Sequence, residues 1–371
     1  MTAIKGLHLP CLAGMATLLV CLCGCPLPAS DGLPFLDENG NSSFASATAL
    51  AIAPPDVLEF EGEIEPAFDL DIYNLGTLNA GDHLYVDVRA VDSQSSGRQL
   101  DLVAAVFDSR EYLHAYNDDR EQDTGDLNPL LDFVLRGASG NYYLAITSYY
   151  ESSATGRYRA TVQITRAVGV PDASPQVVYL NWNGGQNVRI ENVGVYNLAA
   201  FDAADLGPYS GATPVMKDLI EAVVQSRFAD FNLIVLNSDD HDVPAVPHST
   251  VYFGGNNEQA FAIAQQIDTL NADSSDSAIV FTESFRDAFL VAPTMEQMAI
   301  AVGNTVAHEV GHLLGLVHTA ECSSLMSTGC ANHTKLELLE FTLATLDDSV
   351  FPVGYQAARE ILGWILGFVG M

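Results

Sequence analysis

Positive charge is scarce in this chain. Its 371 residues include 15 Lys and Arg but 47 Asp and Glu, which gives a net charge of −32 at pH 7. Binding to nucleic acid needs a basic surface that neutralises phosphates, so we expect no nucleic acid partner. Charged residues make up only 17% of the chain and hydrophobic residues 48%, a balance that argues against extended disorder. We therefore expect a folded chain, long enough for two domains of ordinary size.

Cysteine is also scarce, and four of the six cysteines lie within the first 25 residues. Residues 1–25 combine a weakly basic start at Lys5 with an apolar run that is too short to span a bilayer, a pattern typical of an export signal. Leu22 to Cys25 resembles a bacterial lipobox, which implies that Cys25 is acylated and attaches the protein to a membrane. Ordinary signal cleavage is the alternative. Either way we expect export, to the bacterial cell envelope or the extracellular space.

The other two cysteines, Cys322 and Cys330, stand eight positions apart near the end of the chain. In an oxidising compartment we predict that they form a disulfide. Metal ligation is the weaker alternative, because two cysteines at this spacing match no recognised zinc motif.

The most informative feature is the run HEVGHLLGLVH from His308 to His318. His308 and His312 are four residues apart, so on a helix they project from one face. Gly315 can adopt the left-handed conformation that ends a helix, which lets His318 return as a third ligand. Three imidazoles suit one tetrahedral Zn²⁺ with an open fourth position, and Glu309 is placed to act as the general base on water. Three solvated or structurally satisfied histidines are the alternative.

The residues before this motif predict the helix that carries it. Thr294 and Gln297 read as a capping box, and apolar residues then recur at helical spacing up to Val317. Gly303 within this helix costs roughly 1 kcal/mol relative to Ala, and the sequence offers no reason for it.

The hydrophobic patterns divide the chain into successive segments. After the export signal, residues 26–43 read as a flexible tether, 44–166 as an antiparallel β-sandwich, 167–175 as a linker and 176–371 as an α/β domain. In the α/β domain we expect a twisted mixed sheet backed by helices, one of which carries the zinc motif. The predicted sandwich strands are Leu84–Ala90, Leu102–Phe107, Leu131–Leu135, Tyr142–Ile146 and Tyr158–Ile164. The predicted elements of the α/β domain are strands Gln176–Trp182, Leu233–Leu236, Thr250–Phe253 and Ala278–Thr282 and helices Pro214–Phe228 and Tyr355–Gly367.

The sandwich segment resembles the bacterial pre-peptidase C-terminal domain, a jelly-roll-like module often attached to secreted peptidases. The matching stretches are Asp37–Thr48, Phe68–Tyr73, Leu100–Leu102, Phe107–Ser109 and Gly140–Ala145. Similar domains sometimes bind calcium, so Asn117, Asp118 and Asp119 could form a Ca²⁺ site. A solvated acidic loop is the alternative.

The run from His308 to His318 matches HExxHxxGxxH, the signature of metzincin zinc proteases. A metzincin also needs a Met-turn below the metal, and Met326 within Ser324–Ser327 supplies it at a spacing most similar to the matrixins. The resemblance implies that His308, His312 and His318 bind Zn²⁺ and that Met326 supports the site without binding the metal. Thr319 departs from the usual Ser of the family, and matrixins do not bracket the Met-turn with cysteines.

The resemblance implies a zinc metalloendopeptidase that hydrolyses protein or peptide substrates, with Glu309 moving the proton. An extended substrate would pair with an edge strand, which we predict as Thr250–Phe253 or Ala278–Thr282. The wall of the specificity pocket is expected within Gly329–Val350. Asp239–Asp242 with His248 could form a second metal site or a polar loop. The alternative function is a surface binding or adhesion module with a vestigial or self-processing peptidase domain.

Overall fold

The computed structural model describes residues 33–36, 40–52, 57–91, 100–120, 125–152, 154–190 and 194–370. The predicted export signal with Cys25, and most of the predicted tether, lie outside these residues. Within the described residues, no helix combines the length and apolar character needed to cross a membrane.

The strands described between residues 48 and 165 form two sheets. They are β1 (Thr48–Ala49), β2 (Val57–Ile64), β3 (Asp71–Leu78), β4 (His83–Ala90), β5 (Leu102–Asp108), β6 (Leu113–Asn117), β7 (Leu130–Val134), β8 (Gly140–Ser148) and β9 (Gly156–Thr165). One sheet has the order β1-β3-β8-β5-β6 and the other the order β2-β9-β4-β7. Neighbouring strands are antiparallel except for β1, which runs parallel to β3.

Alternating apolar residues hold these two sheets face to face. In β4 the side chains of Leu84, Val86 and Val88 are fully buried, while the residues between them are only partly buried. They join one hydrophobic cluster with residues of the opposite sheet such as Leu144 and Ile146. This is a β-sandwich-like arrangement, as the period-two pattern predicted.

Between residues 176 and 366, the described residues form a mixed sheet, two short strand pairs and three α-helices. In chain order these elements are β10 (Gln176–Asn181), β11 (Gly185–Ile190), β12 (Gly194–Leu198), α1 (Thr213–Arg227), β13 (Leu233–Asn237), β14 (Ser249–Phe253), β15 (Ala262–Ala264), β16 (Ser277–Val280), α2 (Met295–Leu313), β17 (Leu343–Thr345), β18 (Tyr355–Ala357) and α3 (Ala358–Leu366). The mixed sheet has the order β13-β10-β14-β16-β15, and only β15 runs antiparallel to its neighbour.

Strand order corrects two sequence predictions. Thr250–Phe253 and Ala278–Thr282 cannot offer a free edge to a substrate, because β14 and β16 each have a neighbour on both sides. The edge strands are β13 and β15. The hydrophobic pattern predicted β13 but not the short strand β15. Tyr355–Ala357 was predicted as the start of the last helix but forms β18, paired with β17.

Helix α2 begins as predicted and packs tightly on α1. The Thr294 side chain accepts a hydrogen bond from the Gln297 backbone, and the Gln297 side chain accepts one from the Thr294 backbone. A Cβ atom at Gly303 would lie 2.6 Å from Cβ of Val223. Glycine at this position therefore lets α1 and α2 approach closely, which explains the residue that the sequence left unexplained.

A separate hydrophobic cluster joins the sandwich to the C-terminal part of the chain. From the sandwich it contains Leu70, Ile72, Val103, Ala105, Phe107, Leu113, Tyr116 and Ala145, and from the C-terminal part Val317, Leu346, Val350 and Phe351. The guanidinium of Arg110 adds two hydrogen bonds of 2.9 Å to the Glu360 carboxylate. The sandwich thus packs on the segment that directly precedes His318. The domain limits predicted at 44, 166 and 175 remain predictions.

Candidate metal centre

The three histidines of the motif come together at the end of helix α2. Nε2 of His312 lies 3.1 Å from Nε2 of His308 and 3.1 Å from Nε2 of His318. The ligand atoms of these three histidines all lie within 4.8 Å of one another, close enough to share a metal ion. Among the described residues, no other group of three or more His, Cys, Asp or Glu side chains is this close. His308 and His312 share one helix face, and Gly315, with φ of +81°, turns the chain so that His318 faces them.

Backbone carbonyls fix the orientation of two of the rings. Nδ1 of His308 lies 2.8 Å from the carbonyl oxygen of Leu325, and Nδ1 of His312 lies 2.8 Å from that of Leu316. A carbonyl only accepts, so both Nδ1 atoms carry the proton and donate it. In a neutral imidazole the proton-free Nε2 then keeps its lone pair.

These lone pairs provide a test of whether a metal fits the site. Two proton-free Nε2 atoms cannot hydrogen-bond each other, so their 3.1 Å separation is favourable only with a cation between them. In a tetrahedral zinc site with Zn–N distances near 2.0–2.1 Å, ligand nitrogens lie about 3.3 Å apart. The spacing and the protonation pattern of His308 and His312 therefore fit a zinc-like cation.

Burial keeps the imidazoles in the neutral form that binds metal. It lowers the pKa of His312 to about 3, with the nearby His318 acting in the same direction. The pKa of His308 is lowered well below its usual value, again mainly by burial, and that of His318 is also lowered. Protons therefore compete weakly with a metal at neutral pH.

Glu309 lies beside the triad on the same helix and is 6% exposed. Burial raises its pKa to about 8, against the opposing effects of the Lys335 charge and the backbone N–H of Ala264. A carboxyl group with such a pKa can both accept and release a proton near neutrality.

The segment that carries His318 is held from several sides. The buried Gln356 side chain accepts a hydrogen bond of 2.7 Å from the backbone N–H of Val317 and donates one of 2.9 Å to its carbonyl. The backbone N–H of Thr319 donates to the carbonyl of Met326, and that of Asp347 donates to the carbonyl of His318. The third imidazole thus depends on contacts far away in sequence.

Met326 is fully buried beneath helix α2. A Cβ atom at Gly311 would lie 2.6 Å from its Sδ atom, so the glycine makes room for the methionine. The predicted disulfide between Cys322 and Cys330 is present, with Cα atoms 5.7 Å apart. It closes the loop that contains Met326 and Leu325, whose carbonyl orients His308.

A cleft of about 310 Å³ opens in front of His308, Glu309 and His318. One wall contains Phe261 and Ala262, at the start of the edge strand β15. Another part of the wall includes residues from Ser327 to Leu339, and these overlap the predicted segment Gly329–Val350. Sequence reasoning missed Lys335 in this wall, although the chain has only three lysines.

The residues of the predicted calcium site form hydrogen bonds within the protein. Near the proposed calcium site, Asn117 accepts a hydrogen bond from the Leu130 backbone, and Asp118 caps the backbone of Asp119. These contacts fit the alternative of an acidic loop, and the calcium site stays a prediction.

In the part of the chain that the structure describes, the acids and the histidine of the predicted second metal site form no close group of ligand atoms. Asp239 forms an ion pair with Lys217, and Asp240 accepts a hydrogen bond from Asn237. His248 lies 2.8 Å from a backbone carbonyl. The structure therefore agrees with the alternative prediction, in which this region is a polar loop.

Comparisons with known proteins give distant structural similarities. No family model and no curated protein matches the chain. Among solved structures, it is similar to the periplasmic lysozyme inhibitor PliG of Aeromonas hydrophila, with 18% identity over 32% of this chain and 96% of that chain and a TM-score of 0.25. It is similar to the pre-peptidase C-terminal domain of a Bacillus anthracis collagenase, with 15% identity over 32% of this chain and 94% of that chain and a TM-score of 0.23.

A third similar structure is archaemetzincin from Methanopyrus kandleri, with 15% identity over 46% of this chain and 92% of that chain and a TM-score of 0.27. All three TM-scores are low, so the functional interpretation rests on the residues of this chain.

Proposed function

We propose that this chain is an exported zinc endopeptidase of the metzincin type, with a matrixin-like Met-turn. The observation that carries the proposal is the convergence of three neutral imidazoles at 3.1 Å, beside a buried Glu309 and within an open cleft. The disulfide is consistent with an oxidising compartment. Acylation of Cys25 is part of the proposal as an alternative to plain secretion.

His308, His312 and His318 would hold the metal, which supplies Lewis-acid activation of water and of a peptide carbonyl when bound. Glu309 accepts a proton from the attacking water and returns it to the leaving amine. Strand β15 lies at a sheet edge beside the cleft, where its backbone can pair with an extended peptide. Pairing of this kind would bring the scissile bond into the cleft that Glu309, His308 and His318 line.

The decisive test is Glu309→Gln. We expect this variant to retain one zinc per chain but to lose casein hydrolysis by at least about 100-fold, since it removes only the proton acceptor. Zinc content by elemental analysis and chelator-sensitive cleavage are the measurements.

The matched control is Glu296→Gln, which makes the same change at the exposed start of α2 and should leave both measurements unaltered. Full activity in Glu309→Gln would disprove the proposed mechanism. If the wild type binds zinc but shows no chelator-sensitive cleavage, a binding module with a vestigial peptidase domain becomes the better interpretation.

A further inference from the structure

Lys335 places an ammonium group in the wall of the cleft that contains Glu309 and His308. Its Nζ atom lies 5.4 Å from the centroid of the Phe261 ring, which directly precedes strand β15. Lysine is rare in this chain, since only Lys5, Lys217 and Lys335 occur in 371 residues. One of these three is therefore positioned against the wall along which a substrate would lie.

Lys335 forms no salt bridge among the described residues. The comparable Lys217 is paired, with its Nζ 2.8 Å from an Asp239 oxygen. Burial lowers the pKa of Lys335, and the charge of Glu309 opposes that effect. The Phe261 ring and the Glu309 charge offset part of the desolvation cost of this ammonium, and an arriving carboxylate would offset more of it.

The backbone around Lys335 is anchored to the helix that carries the metal ligands. The Asn304 side-chain amide donates hydrogen bonds to the carbonyls of Lys335, at 3.0 Å, and Glu337, at 2.7 Å. The Asn304 oxygen in turn accepts a hydrogen bond of 3.0 Å from Arg227. Asn304 lies one helical turn before His308, so this network fixes the Lys335 backbone relative to the triad.

The strongly negative overall charge of the protein contrasts with the single positive charge of Lys335 in the cleft. At −32, the protein repels anionic peptides at long range, and salt screens that repulsion beyond about 8 Å. Inside the partly desolvated cleft, by contrast, a single ammonium attracts a carboxylate strongly.

We propose that Lys335 selects substrates that present a carboxylate beside the scissile peptide bond. This inference rests on the proposed peptidase function. The carboxylate could belong to an internal acidic side chain or to the free C-terminus of a short peptide, and the experiment below separates the two sources.

The test uses fluorescent alanine-based octapeptides with Glu, Gln or Lys at each residue flanking the cleaved bond. In a second set, one residue follows the cleaved bond, and that residue ends in a free carboxylate or in an amide. For the wild type we expect kcat/KM to be roughly 10- to 100-fold higher for the carboxylate member of at least one pair. A preference within the first set identifies side-chain recognition, and one within the second set identifies recognition of the C-terminus.

Variants at position 335 show whether the ammonium is responsible. Lys335→Met should abolish the preference, Lys335→Arg should keep it, and Lys335→Glu should shift it toward the Lys peptide. Lys217→Met removes the same charge outside the cleft and should change nothing.

Equal kcat/KM for every carboxylate and amide pair in the wild type would overturn the proposal. So would a Lys335→Met variant that keeps the preference, or one that shifts the pH profile equally for all peptides. The latter would mean that Lys335 acts on Glu309 instead.

Binding keeps this test separate from the proposed peptidase function. Fluorescence anisotropy of the same peptides with zinc-loaded Glu309→Gln, with and without Lys335→Met, needs no turnover. If the wild type cleaves no peptide but the Lys335-dependent preference appears in binding, the peptidase proposal fails and carboxylate recognition stands. If binding also lacks the preference, carboxylate recognition by Lys335 fails.

Discussion

At the scale of single residues, burial determines the chemistry of the ionisable groups. Glu309 and His312 are each 6% exposed, and burial moves the pKa of the acid up and that of the base down. Both shifts favour the neutral form, which is the ordinary effect of desolvation. The same effect acts on carboxylates outside the cleft, where it bears on stability.

Asp276 is 1% exposed, and burial raises its pKa to about 7, with Asp268 and Asp273 acting in the same direction. Because the folded protein holds this proton more tightly than the unfolded chain does, Asp276 contributes its full stability below about pH 4. The contribution is lost as the pH rises through 7. We therefore predict that Asp276→Asn raises the free energy of unfolding at pH 8 by about 1–3 kcal/mol relative to the wild type. This difference should shrink toward pH 4, where the wild-type carboxyl is protonated. Denaturant unfolding across this pH range checks it.

The exposed Asp172→Asn, which makes the same change away from Asp276, serves as the control and should leave the unfolding free energy close to that of the wild type at every pH. A constant difference between Asp276→Asn and the wild type from pH 4 to pH 8 would contradict the prediction.

At the scale of elements, sequence periodicity predicted what is local. The capping box of α2, the ring spacing of His308 and His312 and the turn at Gly315 follow from residues a few positions apart, and the structure has all three. Non-local pairing was not predictable in the same way. Strand β15 is only three residues long, so it has too few alternations to produce a pattern. Lys335 follows no motif spacing, and only its position in the folded cleft gives it significance.

The disulfide bears on the same element that orients His308. Replacing Cys322 and Cys330 by Ser should lower the unfolding free energy by about 2–3 kcal/mol, because the unfolded chain gains freedom. It should also weaken zinc binding, since the enclosed loop supplies the Leu325 carbonyl. Chemical denaturation and competition with a fluorescent chelator measure the two effects. Unchanged zinc affinity would show that hydrogen bonds alone hold the Met-turn loop.

At the scale of the whole molecule, the sandwich packs against the segment that carries the third histidine of the triad. Phe107 on β5 packs with its ring centroid 5.5 Å from that of Phe351, and Val317 belongs to the same cluster. Sequence analysis predicted a sandwich and an α/β arrangement but not this contact, because Phe107 and Phe351 are far apart in the chain and share no pattern.

We predict that Phe107→Ala weakens zinc binding as well as destabilising the fold by about 3–5 kcal/mol. Phe60→Ala is the matched control, since Phe60 is equally buried but lies within the core of the sandwich. It should cost similar stability and leave zinc affinity in the folded protein unchanged. Chelator competition at a temperature where both variants are folded makes the comparison. Equal zinc affinity in the two variants would mean that the sandwich does not support the third ligand.

The docking of the sandwich beneath Val317 also bears on what a cut in the exposed stretch 167–175 would do. Because apolar side chains join the two sides without help from the connecting peptide, a nick there would not release the C-terminal part as a free fragment. The product would be a two-chain protein whose pieces remain associated, so the cut would show on a denaturing gel but not in the size of the native particle.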